Sequence, residues 1–287
     1  MTGADTSRSD HASTIERDGW RISLDFEDAV DPAGREAIIG TALEVAAGRG
    51  PALLRRSRRG STYRVSSKGQ DFFVKLIDAP RGFGRLKRWF SPSPAAHIRS
   101  ISNAIRRAGL NAPAVVLSGR ELSSGREIVM TPRARGVMST RYLRGLSRAE
   151  FARKRALLRA IGAEVARLHG ARFIHGDLTP FNIIVEDGAT PRVWFIDHER
   201  TRTTPVVMPD RARLRNLVQL GHFSFPGLSR TDRMRVWSSY AAATVPSRGR
   251  AELRRLLRML SARIARDGAL GVIHPAAVPS RGEVREG

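Results

Sequence analysis

The chain has no cysteine, and none of its 287 residues belongs to an apolar run of about 18 residues or more. The first absence excludes disulfides and metal sites built on thiolates. The second excludes a conventional membrane-spanning helix. The first ten residues have neither the basic region nor the apolar core of a secretory signal, so we expect a polar tail there.

Negatively charged residues are scarce relative to positively charged ones. The chain has 27 acidic residues against 50 Lys and Arg, and its formal net charge is +23. Such a chain attracts nucleic acid, anionic lipid or polyanionic sugar at long range, unless its charge only solvates an arginine-rich surface. We find no zinc-finger spacing, RNP pattern or KH loop, so no specific nucleic-acid motif accompanies the charge.

The most informative segment runs from His175 to Asn182, with the sequence HGDLTPFN. It is followed by the apolar run 183–185 and, after a turn signal, by a second β-prone run that ends at Asp197. Two such runs around a turn predict a β-hairpin. The hairpin would bring Asn182, at the start of its first strand, close to Asp197, at the end of its second.

These side chains suit phosphoryl transfer. An amide oxygen and a carboxylate are ligands for Mg²⁺, which completes its shell with waters and nucleotide phosphates. Asp177 lies in the loop before Asn182, where it can orient an attacking hydroxyl or accept its proton. An aspartate in a turn is more often a cap, but the ordered set with its flanking strands favours a nucleotide-dependent kinase fold. We therefore predict that Asp177 is catalytic and that Asn182 and Asp197 bind metal.

Lys75 is one of only four lysines in the chain, and it lies in the β-prone run 71–77. Alternation places it on the same face as Phe73 and Ile77. It is either a strand lysine that reaches water or, as we favour, the cation that contacts nucleotide phosphates. Gly60 lies at the first bend of the preceding predicted hairpin, which either covers the phosphates or is an ordinary turn.

A long buried helix is predicted to lead to His175. It begins at the capping box Ser147–Glu150 and ends at Gly170. Its apolar residues recur at helical spacing, at Leu158, Ile161, Val165 and Leu168. His169 and His175 have no Cys or His companions at metal-ligand spacing, so we expect structural roles for both.

On these residues the chain resembles the lipopolysaccharide kinase family, bacterial enzymes that phosphorylate Kdo or heptose in the lipopolysaccharide inner core. The resemblance runs from about Gly60 to Leu220 and is anchored by H-G-D-L-x-x-x-N and by the later I-D-H-E. Further matches are the turn Gly109–Pro113 and the strand Glu127–Thr131, which enters the hinge between lobes in that family.

The resemblance implies an α+β, protein-kinase-like fold with a small β-rich lobe and a larger helical lobe, and it implies ATP and Mg²⁺ as cofactors. The implied site residues are the catalytic Asp177, the metal ligands Asn182 and Asp197, and the nucleotide contacts Lys75, Gly60 and Thr131. On this basis we expect a flexible tail at residues 1–18, a small lobe at 19–132 and a large lobe at 133–287. The large lobe would end in a basic helix whose leucines pack inward.

Two departures from the family pattern stand out. The helix expected around residues 95–107 should carry a glutamate that pairs with Lys75, yet it has none, and His97 or Ser100 takes that position. Asp197 is followed by His198-Glu199, where protein kinases have Phe-Gly. The first departure leaves a pseudokinase or membrane-bound scaffold as an alternative, and the second argues against a protein kinase.

We expect a cytoplasmic, ATP-dependent phosphotransferase that acts on a sugar hydroxyl of the lipopolysaccharide core or of a similar anionic lipid-linked glycan. H-G-D-x-x-x-x-N is shared with aminoglycoside phosphotransferases and RIO-like kinases, so a small-metabolite kinase or a RIO-like kinase is an alternative. The stretch Arg81–Phe90 mixes basic residues with aromatic and aliphatic ones. It predicts peripheral contact with the inner face of the anionic inner membrane.

Overall fold

The computed structural model describes residues 13–26, 31–57, 59–79, 93–206, 209–221 and 228–269. The chain divides into two compact units. The first unit comprises residues 1–103 and 113–133, and the second comprises residues 104–112 and 134–287. The predicted membrane-docking stretch Arg81–Phe90 lies outside the described residues.

The first unit is built on a seven-stranded sheet in the order β1-β2-β6-β7-β5-β4-β3, in which each neighbouring pair is antiparallel. Its strands are β1 (Ser13–Arg17), β2 (Trp20–Leu24), β3 (Leu53–Ser57), β4 (Gly60–Ser67), β5 (Gln70–Ile77), β6 (Leu117–Glu121) and β7 (Glu127–Pro132). Two helices begin in this unit, α1 (Pro32–Ala46) and α2 (Pro94–Arg107).

Alternation along β5 sends successive side chains to opposite faces of the sheet. On one face Phe72, Val74 and Leu76 join a core that also contains the buried residues of α1. The other face packs against α2, through a cluster formed by Ile77, Val129, Ala95, Ile98 and Val115. Lys75 is half-buried and shares the face of Ile77, which confirms the orientation predicted from the alternation.

The prediction of a flexible tail through residue 18 is wrong for residues 13–18. Ser13–Arg17 forms β1 and pairs with β2, with Arg17 opposite Trp20. Asp18 and Gly19 make the turn and have positive φ angles of 49° and 77°. This is the geometry of a two-residue hairpin turn, for which Asp-Gly is a strong signal. The polar composition of this segment favours a tail, although the segment forms a hairpin. Residues 1–12 lie outside the described part of the chain.

The second unit is mainly helical. Its helices are α3 (Ser139–Gly145), α4 (Phe151–Gly170), α5 (Asp210–Gly221), α6 (Arg230–Arg248) and α7 (Arg250–Ala269). Its strands are β8 (Val137–Met138), β9 (Phe173–Ile174), β10 (Ile183–Glu186), β11 (Arg192–Phe195) and β12 (Arg202–Thr203). They form a three-stranded sheet in the order β11-β10-β8 and a separate pair, β12-β9.

Helix α4 is the helix that the sequence predicts before His175. The capping box is present, with the backbone N–H of Ser147 donating to Glu150 Oε2 at 3.0 Å, and it lies on a single 3₁₀ turn that precedes α4. All four predicted apolar positions are buried, and the helix ends at Gly170 as expected. Gly162 lets α4 approach α6 closely, because a Cβ there would lie 2.2 Å from the carbonyl oxygen of Val236.

The basic helix α7 packs within the second unit. Its residues Leu253, Leu256 and Leu260 are buried, and the helix contacts α5 and α6. This confirms that its leucine stripe faces a protein core. None of the helices in the described part of the chain has the length and apolarity needed to cross a bilayer. The protein is a mixed α+β structure with antiparallel sheets and several helices.

Candidate active site

The hairpin formed by β10 and β11 brings the predicted metal ligands together. The strands pair antiparallel, with Ile183 opposite Phe195. Just beyond the strands, the backbone N–H of Ile196 donates to the carbonyl of Asn182 at 3.1 Å. Asp197 is the next residue. The structure therefore places the start of β10 beside the end of β11, as the turn signal between them predicts.

Asn182 and Asp177 are joined by hydrogen bonds. The Nδ2 amide of Asn182 donates to the Asp177 carbonyl at 2.9 Å and to its Oδ2 at 3.3 Å. Asn182 is buried at the end of the 3₁₀ turn Pro180–Asn182, and Ser139 Oγ donates to the Pro180 carbonyl at 2.6 Å. The amide nitrogen is thereby committed to the loop, and Oδ1 is the atom of Asn182 suited to a cation.

Asp197 is exposed and has left-handed backbone angles, with φ 65° and ψ 65°. Positive φ is uncommon outside glycine, although aspartate tolerates it better than most residues, and such positions cluster at functional sites. The 3₁₀ turn His198–Arg200 follows. His198 is buried, and its Nε2 lies 3.0 Å from the carbonyl of Phe195, to which it donates. His198 thus holds the turn that follows Asp197 against the end of β11.

The glycine of the H-G-D motif is required by a close backbone approach. Gly176 has φ 77°, and a Cβ there would lie 2.3 Å from the carbonyl oxygen of Arg200. Thr201 Oγ1 donates to the carbonyl of His175 at 3.1 Å. The segment that carries Asp177 therefore packs directly against the turn that follows Asp197.

His175 is buried, and its Nε2–H donates to the carbonyl of Ile196 at 3.0 Å. Burial lowers the pKa of His175, against the opposing influence of the Asp197 charge and of that hydrogen bond. His169 is also buried, between the hydroxyl of Tyr240 at 3.0 Å and the Asn216 amide oxygen at 3.3 Å. Both histidines serve as hydrogen-bonding groups of the interior, in line with the structural roles expected from the sequence.

Two amide side chains on α5 hold the H-G-D segment, and neither is predicted from the sequence. Asn216 Oδ1 accepts from the backbone N–H of His175 at 3.1 Å. Gln219 Oε1 accepts from the N–H of Leu178 at 3.1 Å, while its Nε2 donates to the carbonyl of Gly176 at 3.1 Å. The two amides are linked, because Asn216 Nδ2 donates to Gln219 Oε1 at 3.1 Å. Residues on both sides of Asp177 are therefore fixed to one helix.

The remaining predicted residues lie in the first unit. Lys75 is opposite Val129 in the sheet, and Thr131 is opposite Phe73. Gly60 has φ 152°, and a Cβ there would lie 1.9 Å from the carbonyl oxygen of Leu76. The contact between β4 and β5 is thus sufficient to require glycine at this position.

Helix α2, as the sequence predicts, contains no carboxylate. His97 is half-buried and Ser100 is exposed.

Among the residues that the structure describes, no three His, Cys, Asp or Glu side chains cluster as a metal site. Mg²⁺ fits the pair Asn182 and Asp197, since it takes hard oxygen ligands, uses few protein side chains and fills its shell with waters and phosphates.

A model of the Kdo/WaaP lipopolysaccharide kinase family matches residues 96–240, half of the chain. The protein belongs to this family. The match confirms the resemblance found in the sequence, and it includes Asp177, Asn182 and Asp197. Members are lipopolysaccharide kinases, so this protein is a kinase, that is, a phosphotransferase. A comparison with curated proteins finds no significant match.

Proposed function

We propose that this lipopolysaccharide kinase transfers the γ-phosphate of ATP, with Mg²⁺, to a sugar hydroxyl of the lipopolysaccharide core or of a similar anionic lipid-linked glycan. The observation that carries the proposal is the hydrogen-bonded set in the second unit. Asn182 bonds through its side chain to Asp177 and through its backbone to the residue before Asp197. A carboxylate, an amide and a second carboxylate are the groups that phosphoryl transfer requires.

Asn182 Oδ1 and the Asp197 carboxylate would hold Mg²⁺, which supplies charge neutralisation to the phosphates when it is bound. Lys75 would contact the phosphates through its compact ammonium. Gly60 and Thr131 would contact the nucleotide from β4 and β7. The exposed position of Asp197 supports its role, because a ligand for a metal–nucleotide complex must be accessible.

Asp177 would orient the acceptor hydroxyl and receive its proton. Asn182 Nδ2 donates to Oδ2 of Asp177, and Asp177 is only half-buried. The other carboxylate oxygen, Oδ1, is then the one that faces the acceptor in our proposal. Because Asn216 and Gln219 fix the loop on both sides, the carboxylate is positioned before substrate arrives, which is how orientation contributes to rate.

We also propose that the two compact units are the small and large lobes of a protein-kinase-like fold, with the predicted boundary between residues 132 and 133 and with the small lobe extended to include Ser13–Arg17. A seven-stranded sheet in one unit and five helices in the described part of the other support this assignment.

The net charge of the chain supports the proposed acceptor and location. A chain with a net charge of +23 is attracted to phosphate and carboxylate groups, and arginine binds both through paired hydrogen bonds. We propose that the enzyme works in the cytoplasm, in peripheral contact with the inner face of the inner membrane, where a lipid-linked acceptor is made. The stretch Arg81–Phe90 would make that contact.

Labelled ATP, Mg²⁺ and delipidated core oligosaccharide, incubated with the purified protein, would test the proposal. We expect label in the sugar, loss of transfer when EDTA removes Mg²⁺, and transfer by Asp177→Asn that is slower by roughly 10²-fold or more. Label in the protein alone would favour a RIO-like kinase. Absence of MgATP binding would favour a pseudokinase and overturn the proposal. Mass spectrometry of lipopolysaccharide from a deletion strain would identify the hydroxyl.

A further inference from the structure

Helix α2 cannot supply the carboxylate that the family pattern pairs with Lys75, since its sequence has no acidic residue. Glu127, the first residue of β7, is fully buried in the first unit. We propose that Glu127 is the anionic partner that positions Lys75, in place of a glutamate on the helix. This inference rests on the proposed function, because it assumes that Lys75 contacts nucleotide phosphates.

The sheet register places the two residues on one face. Lys75 is opposite Val129, and Ile77 is opposite Glu127. Directly opposed residues point to the same side of a sheet, and residues two apart on one strand share a side. Lys75 and Glu127 are therefore diagonal neighbours, with β carbons about 7–8 Å apart or somewhat less in this arrangement. Lysine and glutamate side chains are long enough to meet across that distance.

Two hydrogen bonds to Glu127 reach the same carboxylate oxygen. Oε2 accepts from Ser93 Oγ at 2.8 Å and from the backbone N–H of Ala95 at 2.8 Å. Both bonds come from the N-terminal end of α2 and both use the same oxygen, so Oε1 takes part in neither. Glu127 and Lys75 each take part in a further interaction in the structure.

A buried carboxylate is costly unless hydrogen bonds and a counter-charge compensate for its lost hydration. The two bonds to Oε2, and the positive end of the α2 dipole, offset part of that cost. A lysine on the same face supplies the counter-charge. The carboxylate in turn restricts the Lys75 side chain, which would otherwise adopt many rotamers. The ammonium is then already oriented to contact phosphates before the nucleotide binds.

A carboxylate on the sheet, rather than on the helix, changes which element determines the position of the Lys75 ammonium. A glutamate on α2 would lose Lys75 whenever the helix shifted. Glu127 and Lys75 lie on strands that are hydrogen-bonded neighbours, so strand pairing itself keeps them together. In this kinase strand pairing would therefore set the distance between the two residues, while the bonds from Ser93 and Ala95 keep the carboxylate in contact with the start of α2.

Glu127→Gln is the informative variant. Its amide oxygen can keep both bonds to α2, while the negative charge is lost. We expect kcat/KM for ATP to fall about tenfold or more, within the range of coupling between interacting charged residues. In a Lys75→Met background the same change should have no further effect, because the residue acts through the lysine. Ser93→Ala is the matched control, since it removes one bond to Oε2 and keeps the charge; it should lower the melting temperature but leave kcat/KM unchanged.

The outcomes separate this inference from the proposed function. A wild type that does not bind MgATP would overturn both. Suppose that the wild type turns over ATP and that the losses in kcat/KM caused by Glu127→Gln and Lys75→Met multiply in the double variant. Glu127 is then a structural residue, and only the inference fails. A crystal structure of the wild type decides the matter independently of whether the variant folds. Lys75 Nζ farther than about 4 Å from both Glu127 oxygens would overturn the inference, and a shorter distance would support it.

Discussion

The carbonyl of Asn182 and the backbone N–H of Ile196 are joined by a hydrogen bond of 3.1 Å. The bond extends the β10–β11 pairing by one step beyond the hairpin. It ties the residue that carries the amide to the residue just before Asp197. The separation of the two proposed metal ligands is therefore set by strand register. The hydrogen bond from the Asn182 side chain to the Asp177 carbonyl fixes Asp177 relative to the same strands.

Asp197→Asn is expected to abolish Mg²⁺-dependent nucleotide binding, because Asp197 is the only anionic ligand in the proposed metal set. Binding at 100 times the dissociation constant stabilises a protein by about 2.7 kcal/mol, so the wild type should show a clear thermal shift with MgATP. The variant should show none. Glu199→Gln, two residues further on in the same turn, is the control and should retain the shift. An unchanged shift in Asp197→Asn would remove this residue from the site.

Asp177→Asn should separate binding from turnover. Nucleotide binding should persist, because Asp177 is not proposed to touch the metal. Turnover should fall by roughly 10²-fold or more if proton acceptance and hydroxyl positioning are both lost. Single-turnover phosphate transfer, measured alongside the thermal shift with MgATP, checks both halves. Transfer at the wild-type rate would mean that the acceptor binds elsewhere.

Asn216→Ala should destabilise the loop that carries Asp177. The substitution leaves the buried backbone N–H of His175 without its acceptor and removes a partner of His169, which costs about 1–3 kcal/mol per unsatisfied group. Urea unfolding measures the loss. Arg215→Ala, at the exposed neighbouring position on α5, should stay within about 0.5 kcal/mol of the wild type. Equal stability of the two variants would contradict the support that we assign to Asn216.

The parts of this protein that sequence predicts are those determined by local pattern. The β10–β11 hairpin follows from two apolar runs and a turn signal, and α4 follows from a capping box and helical spacing. Asn216 and Gln219 could not be found this way, since their partners lie about forty positions earlier and amides carry no periodic signal. In the folded chain Asn216 is buried beside Leu217 and Val218, and Gln219 is half-buried.

Glu127 illustrates the same limit. In sequence it is the polar end of a strand, and nothing local shows that it caps a helix that begins more than thirty residues earlier. The β1–β2 hairpin differs, because its Asp18-Gly19 turn is a local signal although the polar composition of the segment favours a tail. Local turn chemistry was the better guide there.

Asp232 should make stability depend on acid pH. Its side chain is 2% exposed, and it accepts from Lys154 Nζ and Arg235 at 2.6 Å each. Burial alone would raise the pKa of Asp232, but the hydrogen bonds from Lys154 and Ser229 and the Lys154 charge outweigh it and bring the pKa below the usual 3.8. A depressed carboxyl pKa contributes stability that is present above the unfolded-state value and is lost as pH falls through the folded-state value.

We therefore expect the wild type to lose stability from this source below a pH of about 4. Asp232→Asn should be less stable at neutral pH, because the half-buried ammonium of Lys154 loses its partner, and its stability should fall less steeply in acid. Urea unfolding at several pH values compares the two proteins. Parallel curves for wild type and variant would show that Asp232 does not account for the acid loss.

The stretch Arg81–Phe90 mixes basic residues with aromatic and aliphatic ones and is predicted to contact an anionic membrane. If it docks the kinase on the inner leaflet, changing Arg85, Lys87 and Arg88 to Ser removes three cations. Each cation near an anionic surface contributes about 1 kcal/mol, so binding to anionic liposomes should weaken by on the order of 10²-fold. Activity on a soluble, delipidated acceptor should be preserved, because the variant changes the location of the enzyme and not its site.

Net charge needs its own control. Arg254, Arg255 and Arg258 are exposed on α7, and their change to Ser removes the same three charges from a helix that packs within the second unit. Co-sedimentation with anionic and neutral liposomes at two salt concentrations compares the two triple variants. Specific docking requires a large loss only in the first variant, and binding that fades with salt as the Debye length shrinks. Equal losses in both variants would mean that the general positive charge, and not Arg81–Phe90, attracts the membrane.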